Sequence, residues 1–452
     1  MVYYTDKRNN QMETLHTKQV SIWGGILCTI VMSCYFFPFG FNFFMPKSFN
    51  TKIGFAVIGA VVLAYRCIVS REIAIDKELI APLFFVVMFS LICFIAVDYN
   101  YTSDYTYATY FLSFFTWLSA AYTTYWFLRI FHKKVTFKLM VFYLACACVL
   151  QCALALLIDN VDSVKFFVDQ YISQATIADS DFLNEVKRLY GIGAALDPAG
   201  TRFSIVLLAI GAVLAKDISA DKNRWEPFFY WGAFFFISFV GNIISRTTII
   251  GMSMGLLLYL IDSRIVASEV KISTLRSLGI MVLILACAAL TGIYLYSSDA
   301  DMKQLLRYGF EGFFNWFEKG EWETGSTNLL MNAWIWPHDT QGWIIGYGLF
   351  DNWAFGTDIG YCRFVLYCGL TGMLAFSLFF VCNTWVCSYK LSNYHLFLLL
   401  LLLLCFIIWV KVSTDLFLIY ALLFCLENET AKDSYSVENK HSHVSLTGNI
   451  NV

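Results

Sequence analysis

Charge is what this sequence has least of. Only 14% of its 452 residues are Asp, Glu, Lys or Arg, against roughly 25% in a soluble domain, which excludes an ordinary water-facing globule. No dense basic tract is present and the formal net charge is -2. Nucleic acid is therefore excluded as a partner, because phosphate-backbone binding needs clustered Lys and Arg. The fourteen cysteines sit in or beside apolar runs, such as Cys146, Cys148 and Cys152, and show neither a disulfide framework nor zinc-ligand spacing. P-loop, nucleophile-elbow and HExxH patterns are also missing.

What is present is apolar: 59% hydrophobic and 18% aromatic residues, with a mean hydropathy of +0.63. Runs of about 16 to 25 apolar residues recur from Ser21 to Leu426, each near the length that crosses a hydrocarbon core of about 30 Å. An all-α polytopic membrane protein is expected, not a barrel. The spans fall at roughly 21–39, 53–69, 79–97, 106–128, 139–158, 201–216, 227–243, 248–262, 277–296, 359–386, 395–410 and 415–426, about twelve in all. The first follows Lys7, Arg8 and Lys18, is too long for a signal h-region and lacks a small-residue cleavage site, so it is expected to stay as an anchor.

With the N-terminus inside, Arg71, Lys77, Arg129, Lys133, Lys134, Lys138, Lys216, Lys222, Arg224, Arg264, Lys271, Arg276 and Lys390 fall in short cytoplasmic connections, satisfying the positive-inside rule. Residues 1–426 then form one transmembrane domain with two long outer loops, about 159–200 and 297–358, longer than ordinary helix connections. The last two spans are short and interrupted at Lys411 to Asp415, as in a bent pair turning near the outer leaflet. The polar tail 427–452 has too few apolar residues to offset its ordering entropy and is expected to be a disordered cytoplasmic end.

Three arginines stand at the outer ends of spans: Arg202 in Gly200-Thr-Arg-Phe-Ser, Arg246 in Asn242-Ile-Ile-Ser-Arg-Thr, and Arg363 in Gly360-Tyr-Cys-Arg-Phe. A guanidinium at a helix centre costs roughly 2.5–3.5 kcal/mol on insertion scales unless paired or hydrated. Arg holds phosphate oxygens in a two-pronged geometry, and a pyrophosphate at headgroup level would give all three a common target. Each taken alone is also explained by snorkelling to lipid headgroups. Three together, against the inward charge bias, favour an anionic ligand.

The outer loop 297–358 carries Trp316, Trp322, Trp334, Trp336, Trp343 and Trp353 among Phe310, Phe313, Phe314 and Phe317. Flat aromatic faces suit sugar rings, and an amphipathic segment lying at the interface explains them equally well. Acid–base candidates are Asp358 and His338, with Asp339, Asp351 and Glu323 nearby, since a hydroxyl nucleophile needs a base. Asp358 at a loop-to-helix junction also reads as a helix N-terminal residue, and His338 as a plain loop histidine. The triplets Asp179-Ser-Asp181 and Asp299-Ala-Asp301 have metal-nucleotide spacing, but both lie outside, where nucleotide sugars are not expected. Gly251 and Gly255 form a GxxxG read as close helix packing.

The segment Gly241-Asn-Ile-Ile-Ser-Arg-Thr-Thr-Ile-Ile-Gly resembles the Ser-Arg signature of O-antigen polymerases and ligases. Ile344-Ile-Gly-Tyr-Gly-Leu-Phe, followed by Thr357-Asp-Ile-Gly-Tyr-Cys-Arg-Phe-Val-Leu-Tyr-Cys-Gly-Leu-Thr-Gly, resembles the end of the large periplasmic loop and the next helix in Wzy-type polysaccharide polymerases. Ligases of that superfamily carry a His-Asn or His-Ser pair just before this helix. Here Thr357-Asp358 stands in its place, which favours polymerase and makes Asp358 the preferred base.

The resemblance implies transfer of a growing glycan, for O-antigen or capsule, from undecaprenyl pyrophosphate to the next lipid-linked repeat unit. The reaction would run on the periplasmic face of a bacterial inner membrane, with no metal and no cofactor. It implies that Arg202 and Arg246, with Arg363 added from the local motif, bind the pyrophosphate and stabilise its developing charge. Asp358 and His338 would serve the acid–base chemistry and Trp334, Trp336, Trp343 and Trp353 the sugars. Partners would be the lipid-linked donor and acceptor, membrane lipid and a chain-length regulator protein. The alternatives are an O-antigen ligase acting on a lipid A core and, in another class, a lipid-linked oligosaccharide flippase. A transporter should carry its ionisable residues near the bilayer midplane, whereas here they gather at the outer ends.

Overall fold

The computed structural model describes residues 21–42, 49–71, 77–174, 188–216, 225–263, 272–298, 300–321, 323–350 and 355–427. Each of the twelve apolar runs falls on a helix: α1 (Ile22–Phe36), α2 (Thr51–Ser70), α3 (Ile80–Tyr99), α4 (Tyr110–Phe131), α5 (Phe137–Asn160), and then, after α6 (Asp162–Tyr171), α7 (Leu196–Lys216), α8 (Glu226–Ile244), α9 (Thr248–Asp262) and α10 (Ile272–Ser298). Four short helices follow, α11 (Ala300–Gly309), α12 (Glu311–Lys319), α13 (Gly325–Asn332) and α14 (Thr340–Ile344), before α15 (Gly360–Lys390), α16 (His395–Ile408) and α17 (Phe417–Cys425).

Among the described residues, seven of these helices are long and apolar enough to cross a membrane: α2, α3 (from Lys77), α5, α7, α8, α10 and α15. Helices α1, α9 and the Ser392–Ile408 segment are apolar but shorter, and α17 has only 9 residues, about half the roughly 20 that a straight crossing needs. The chain is thus an all-α membrane protein, with seven long apolar spans among its described residues. Large apolar side chains face outward in mid-helix, among them Val61 at 61%, Phe84 at 61% and Leu290 at 68% exposure. A surface of this kind suits lipid rather than water.

Helix starts are capped by local side chains. Ser21 accepts from Gly24 N at α1, Asn50 from Ile53 N at α2 and Thr136 from Leu139 N at α5, each satisfying a donor that a first helical turn leaves open. Among the described residues the strands are two, β1 (Phe39–Phe41) and β2 (Ile172–Gln174). They pair antiparallel with Gly40 opposite Ser173, tying the end of α1 to α6.

Close packing rests on small residues. A Cβ on Gly251 would lie 2.1 Å from Ser204 Cα, one on Gly255 2.7 Å from Leu207 O, and one on Gly211 2.4 Å from Gly255 O. Helices α7 and α9 therefore meet backbone to backbone, as the GxxxG reading expected. Helix α15 is broken at Gly369 (φ 65°). The 344–348 segment lies against the break: Tyr347 N donates to Leu366 O at 2.6 Å and Gly348 N to Tyr367 O at 2.9 Å.

Within the two expected outer loops the described residues form short helices and a strand. Helix α5 runs on to Asn160 and is followed by α6 and β2, while residues 297–358 hold α11 to α14. The i, i+3, i+4, i+7 spacing of Phe310, Phe313, Phe314 and Phe317 is that of an amphipathic helix, and α12 forms there. Of the tail, Glu427 is described and pairs with Arg129 (3.4 Å) and Lys134 (3.8 Å); residues 428–452 lie outside the described residues. All fourteen cysteines are free thiols.

Replacing Gly251 with Leu should lower the thermal midpoint of the detergent-solubilised protein by several degrees, because the new side chain meets backbone that has to shift. Gly232→Ala, where a Cβ meets nothing within 4 Å, should leave it unchanged in the same melting experiment.

Candidate functional site

The end of the bundle that carries the short helices is organised by residues 409–416, between α16 and α17. The chain leaves α16 at the buried Trp409, whose Nε1 donates to Thr414 O at 2.8 Å, closing the segment into a compact turn. Asp415 accepts from Phe417 N at 3.0 Å and so caps the start of α17. There is no room for a side chain at Gly360, where a Cβ would sit 2.8 Å from Val412 O and 2.9 Å from Trp409 O. Tyr361 N donates to Trp409 O at 3.1 Å, which fixes the start of α15 against the same turn.

From this turn Lys411 reaches across to α7. Its Nζ lies 2.7 Å from Asp197 Oδ1 and 3.2 Å from Thr247 Oγ1. Asp197 Oδ1 also accepts from Ser245 Oγ (2.9 Å) and Thr247 Oγ1 (2.7 Å). These are the residues on either side of Arg246, in the break between α8 and α9, where Ser245 is extended (φ -152°, ψ 125°). Gly200 allows the approach, since a Cβ there would be 2.5 Å from Ser245 Oγ. The Ser-Arg-Thr stretch is therefore a turn gripped on both flanks. Arg246 itself is held by Glu311 of α12 at 2.7 Å, and Asn242 Nδ2 donates to Gly309 O at 2.5 Å, so α11 and α12 are strapped over the end of α8.

Arg202 lies on another face of α7. Gly200, Ser204 and Gly211 face α9 and its preceding turn, and Arg202, two residues from Gly200, is turned about 200° from it at 3.6 residues per turn. Its Nη1 donates to Gly193 O at 3.4 Å and its guanidinium lies 5.7 Å from the Phe37 ring. It borders a cavity of about 210 Å³ together with Lys52, Trp117, Thr201, Thr414 and Asp415. Arg363, in contrast, is buried in the fold. Its Nη1 donates to Ser413 Oγ (3.0 Å) and its Nη2 to Phe350 O (2.6 Å), and it stacks 4.0 Å from the Phe350 ring. The three guanidinium groups thus have different partners: Gly193 O and the Phe37 ring for Arg202, Glu311 for Arg246, and Ser413 with Phe350 for Arg363.

Asp358 is exposed on the approach to α15. Partial burial against the protein pushes its carboxyl above the ordinary carboxylate range, Arg363 and Lys411 pulling the other way and Asp197 adding to the rise. Thr357 beside it donates to Ala333 O at 2.6 Å, which brings the Trp334 segment next to Asp358. There Trp334 and Trp336 lie 5.6 Å apart and Trp336 stacks on Trp343 at 5.6 Å with an 18° interplanar angle. Trp334 and Trp336 remain 42% and 37% exposed, enough to offer a ring face.

His338 is exposed, with its backbone N donating to Tyr347 Oη at 3.3 Å. Asp339 caps α14 by accepting from Gly342 N (2.8 Å) and also accepts from Tyr347 Oη (3.0 Å). These bonds hold its carboxyl below the usual range. Glu323 accepts from Asn328 Nδ2 at 2.6 Å. Trp353, Trp322 and Asp351 lie outside the described residues, as do the side chains of both Asp-x-Asp triplets.

Sequence reasoning missed Asp197, Lys411, Lys52 and Glu311. Lys52 and Lys411 carry the same signal that marked the arginines, a cation at the outer end of an apolar run against the inward bias. Asp197 carries the matching one, an acid at the start of such a run. Glu311 has no such mark, because its partner lies 65 positions away across a helix-rich segment. The chain matches no protein-family model, no curated protein and no solved structure.

Asp197→Ala removes at once the acceptor of Lys411 and of the Ser245 and Thr247 hydroxyls, so it should destabilise the protein. In a double-mutant cycle with Lys411→Met the two losses should fail to add by about 1 kcal/mol, measured as unfolding in detergent. Additive losses would mean that the contact couples nothing.

Proposed function

We propose that this chain is a polysaccharide polymerase of the Wzy type. It would transfer a growing glycan from undecaprenyl pyrophosphate to the next lipid-linked repeat unit on the periplasmic face of a bacterial inner membrane. The observation that carries this reading is that one turn, residues 409–416, borders the cavity of Lys52 and Arg202 through Thr414 and Asp415 and, through Lys411, holds the residues that flank Arg246, with the exposed Asp358 and the stacked indoles at the same end. Cationic side chains at the end of a membrane bundle favour a phosphorylated headgroup, and ring faces next to a carboxylate favour a sugar. Basic residues at the opposite end, among them Arg129, Lys134, Lys138 and Lys216, support a cytoplasmic assignment there. On this reading α4, with 22 residues, and the four shorter apolar helices α1, α9, α16 and α17 complete a bundle of twelve.

The chemistry is a displacement at the anomeric carbon. The acceptor hydroxyl oxygen forms the new glycosidic bond, the bond from carbon to the diphosphate oxygen breaks, and the diphosphate leaves with the electron pair. The hydroxyl proton passes to Asp358. Its raised pKa makes it a stronger base than an ordinary carboxylate. Guanidinium groups placed before the reaction stabilise the leaving charge without reorganising.

A clean deletion followed by gel analysis of surface and undecaprenyl-linked glycans tests the reading. Single repeats with no ladder are expected. Long polymer stranded on undecaprenyl would mean a ligase, and repeats trapped on the inner face a flippase. Arg246→Ala should abolish the ladder while the protein stays in the membrane. In membranes carrying the wild-type chain, polymerisation should fall away on acidification at a pH above that of an unperturbed carboxylate, because a base with a raised pKa is protonated sooner. Asp358→Asn should leave little activity at any pH.

A further inference from the structure

The cavity on the Arg202 face of α7 carries unmatched charge. Lys52 and Arg202 border it against a single acid, Asp415, and among the described residues neither cation has a carboxylate within 4.0 Å in an ion pair. Lys52 Nζ instead stands 4.8 Å from the centre of the Trp117 ring, while Asp415 accepts from Phe417 N at 3.0 Å. The balance is one positive charge in a partly buried site, where an uncompensated charge is destabilising. One carboxylate brings that balance to zero. A diphosphate, with at least two negative charges, reverses its sign and leaves the site unmatched again.

The rest of the wall describes what bears the carboxylate. Tyr110, Ser113, Thr201 and Thr414 bring hydroxyl-bearing side chains to it, and the Thr201 hydroxyl, on a residue 2% exposed, has no hydrogen-bond partner. A buried polar group of that kind is satisfied by a ligand oxygen. Hydroxyls and charges together suit a molecule that is itself dense in hydroxyls and disfavour an apolar tail. At about 210 Å³ the space is smaller than the roughly 300 Å³ of the smallest drug-sized pockets. It has room for one sugar ring and its carboxylate, and not for a disaccharide.

We infer that this cavity recognises a uronic acid residue, a six-carbon sugar oxidised to a carboxylate at its last carbon, within the repeat unit. That the sugar arrives in a lipid-linked repeat rests on the polymerase reading. Lys52 and the fork of Arg202 take the carboxylate oxygens, the Thr201 hydroxyl donates to a sugar oxygen, and Asp415 accepts from a sugar hydroxyl. This assignment takes Arg202 away from the diphosphate role that the family resemblance implies for it and makes it a specificity residue. A neutral sugar of the same shape is rejected, because it leaves both cations unpaired.

The full-length protein in detergent micelles tests the inference by saturation-transfer NMR with glucuronate and galacturonate against glucose and galactose, which differ from them at the carboxylate. The two acids should bind roughly tenfold or more tightly than the neutral sugars, as expected where charge-assisted hydrogen bonds are made. Lys52→Met should abolish that difference. Lys52→Arg, which keeps the charge, should preserve it and so separates a lost site from a misfolded chain. Equal signals from acids and neutral sugars, or a preference for the acids that Lys52→Met leaves unchanged, would overturn the inference. Displacement of the acids by inorganic pyrophosphate at lower concentration would overturn it too, since the cavity would then be a diphosphate anchor.

Sugar analysis of the single repeats that accumulate on deletion supplies a second readout, and a uronic acid is expected among them. Repeats without one would sink the inference and leave the polymerase reading intact. Acid-selective binding lost in Lys52→Met, together with a glycan ladder that survives deletion, would leave the site standing and remove the polymerase reading.

Discussion

An ammonium in a turn between two apolar helices has to find an acceptor, and Lys411 finds Asp197, 214 positions away. Each side chain stays a quarter exposed, so the charges are only partly taken from water, and the short contact and the hydroxyls around it offset that desolvation. Asp197 accepts from Ser245 and Thr247 as well as Lys411, each bond to a charged group contributing about 1.5–3 kcal/mol. Four elements are locked by this one carboxylate: the first turn of α7, the end of α8, the start of α9 and the turn after α16. The Ser-Arg-Thr break is consequently a fixed turn and not a frayed helix end, and Arg246 leaves it in a defined direction.

The two ends of the bundle use charge differently. At the end away from the short helices, Lys138 pairs with Glu226 (2.6 Å), Lys216 with Asp262 (3.4 Å) and Lys390 with Glu78 (2.9 Å), with Lys390 at 2% exposure. Each of these joins neighbouring helix ends and leaves the cation matched. At the other end the pairs reach between distant segments, and Arg202 and Lys52 stay without an ion-pair partner among the described residues. Lys52 and Arg202 against Asp415 leave a local excess of positive charge around their cavity.

The sequence made the helices legible because a lipid-facing run has a length and a composition that little else produces. It did not reveal which runs fall short of a full crossing. Helix α17 was read from its apolar content, but Asp415 and Leu416 belong to the preceding turn, and its 9 residues are set by that turn. The arginines were legible as anomalies in apolar surroundings. Their arrangement was not, since whether Arg202 and Arg246 share a face depends on the phase of α7, and that phase is fixed by Gly200 and Ser204 packing on partners more than forty positions on. Lys52 escaped notice because it begins a helix next to the Asn50 cap, where a lysine seems ordinary until Trp117 and Arg202 are seen across the cavity.

Hydrogen-bond capacity separates the arginines. A guanidinium has five N–H donors. Arg363 directs them at a backbone carbonyl at 2.6 Å and a hydroxyl at 3.0 Å, with its plane over an aromatic ring. It therefore acts as a clamp that holds the 344–350 segment and residues 409–416 to α15, whatever it was expected to bind. Arg246 is held by a carboxylate on a short helix of the loop segment, a contact that a competing anion can replace. Among the described residues Arg202 makes one hydrogen bond, to Gly193 O at 3.4 Å, near the limit at which such a contact is counted. The same side chain in three similar sequence settings thus has three different roles, and what assigns them is how much of each guanidinium the surrounding backbone and side chains already occupy. By that measure Arg202, with most of its donors unoccupied beside a cavity, is the arginine most open to a ligand.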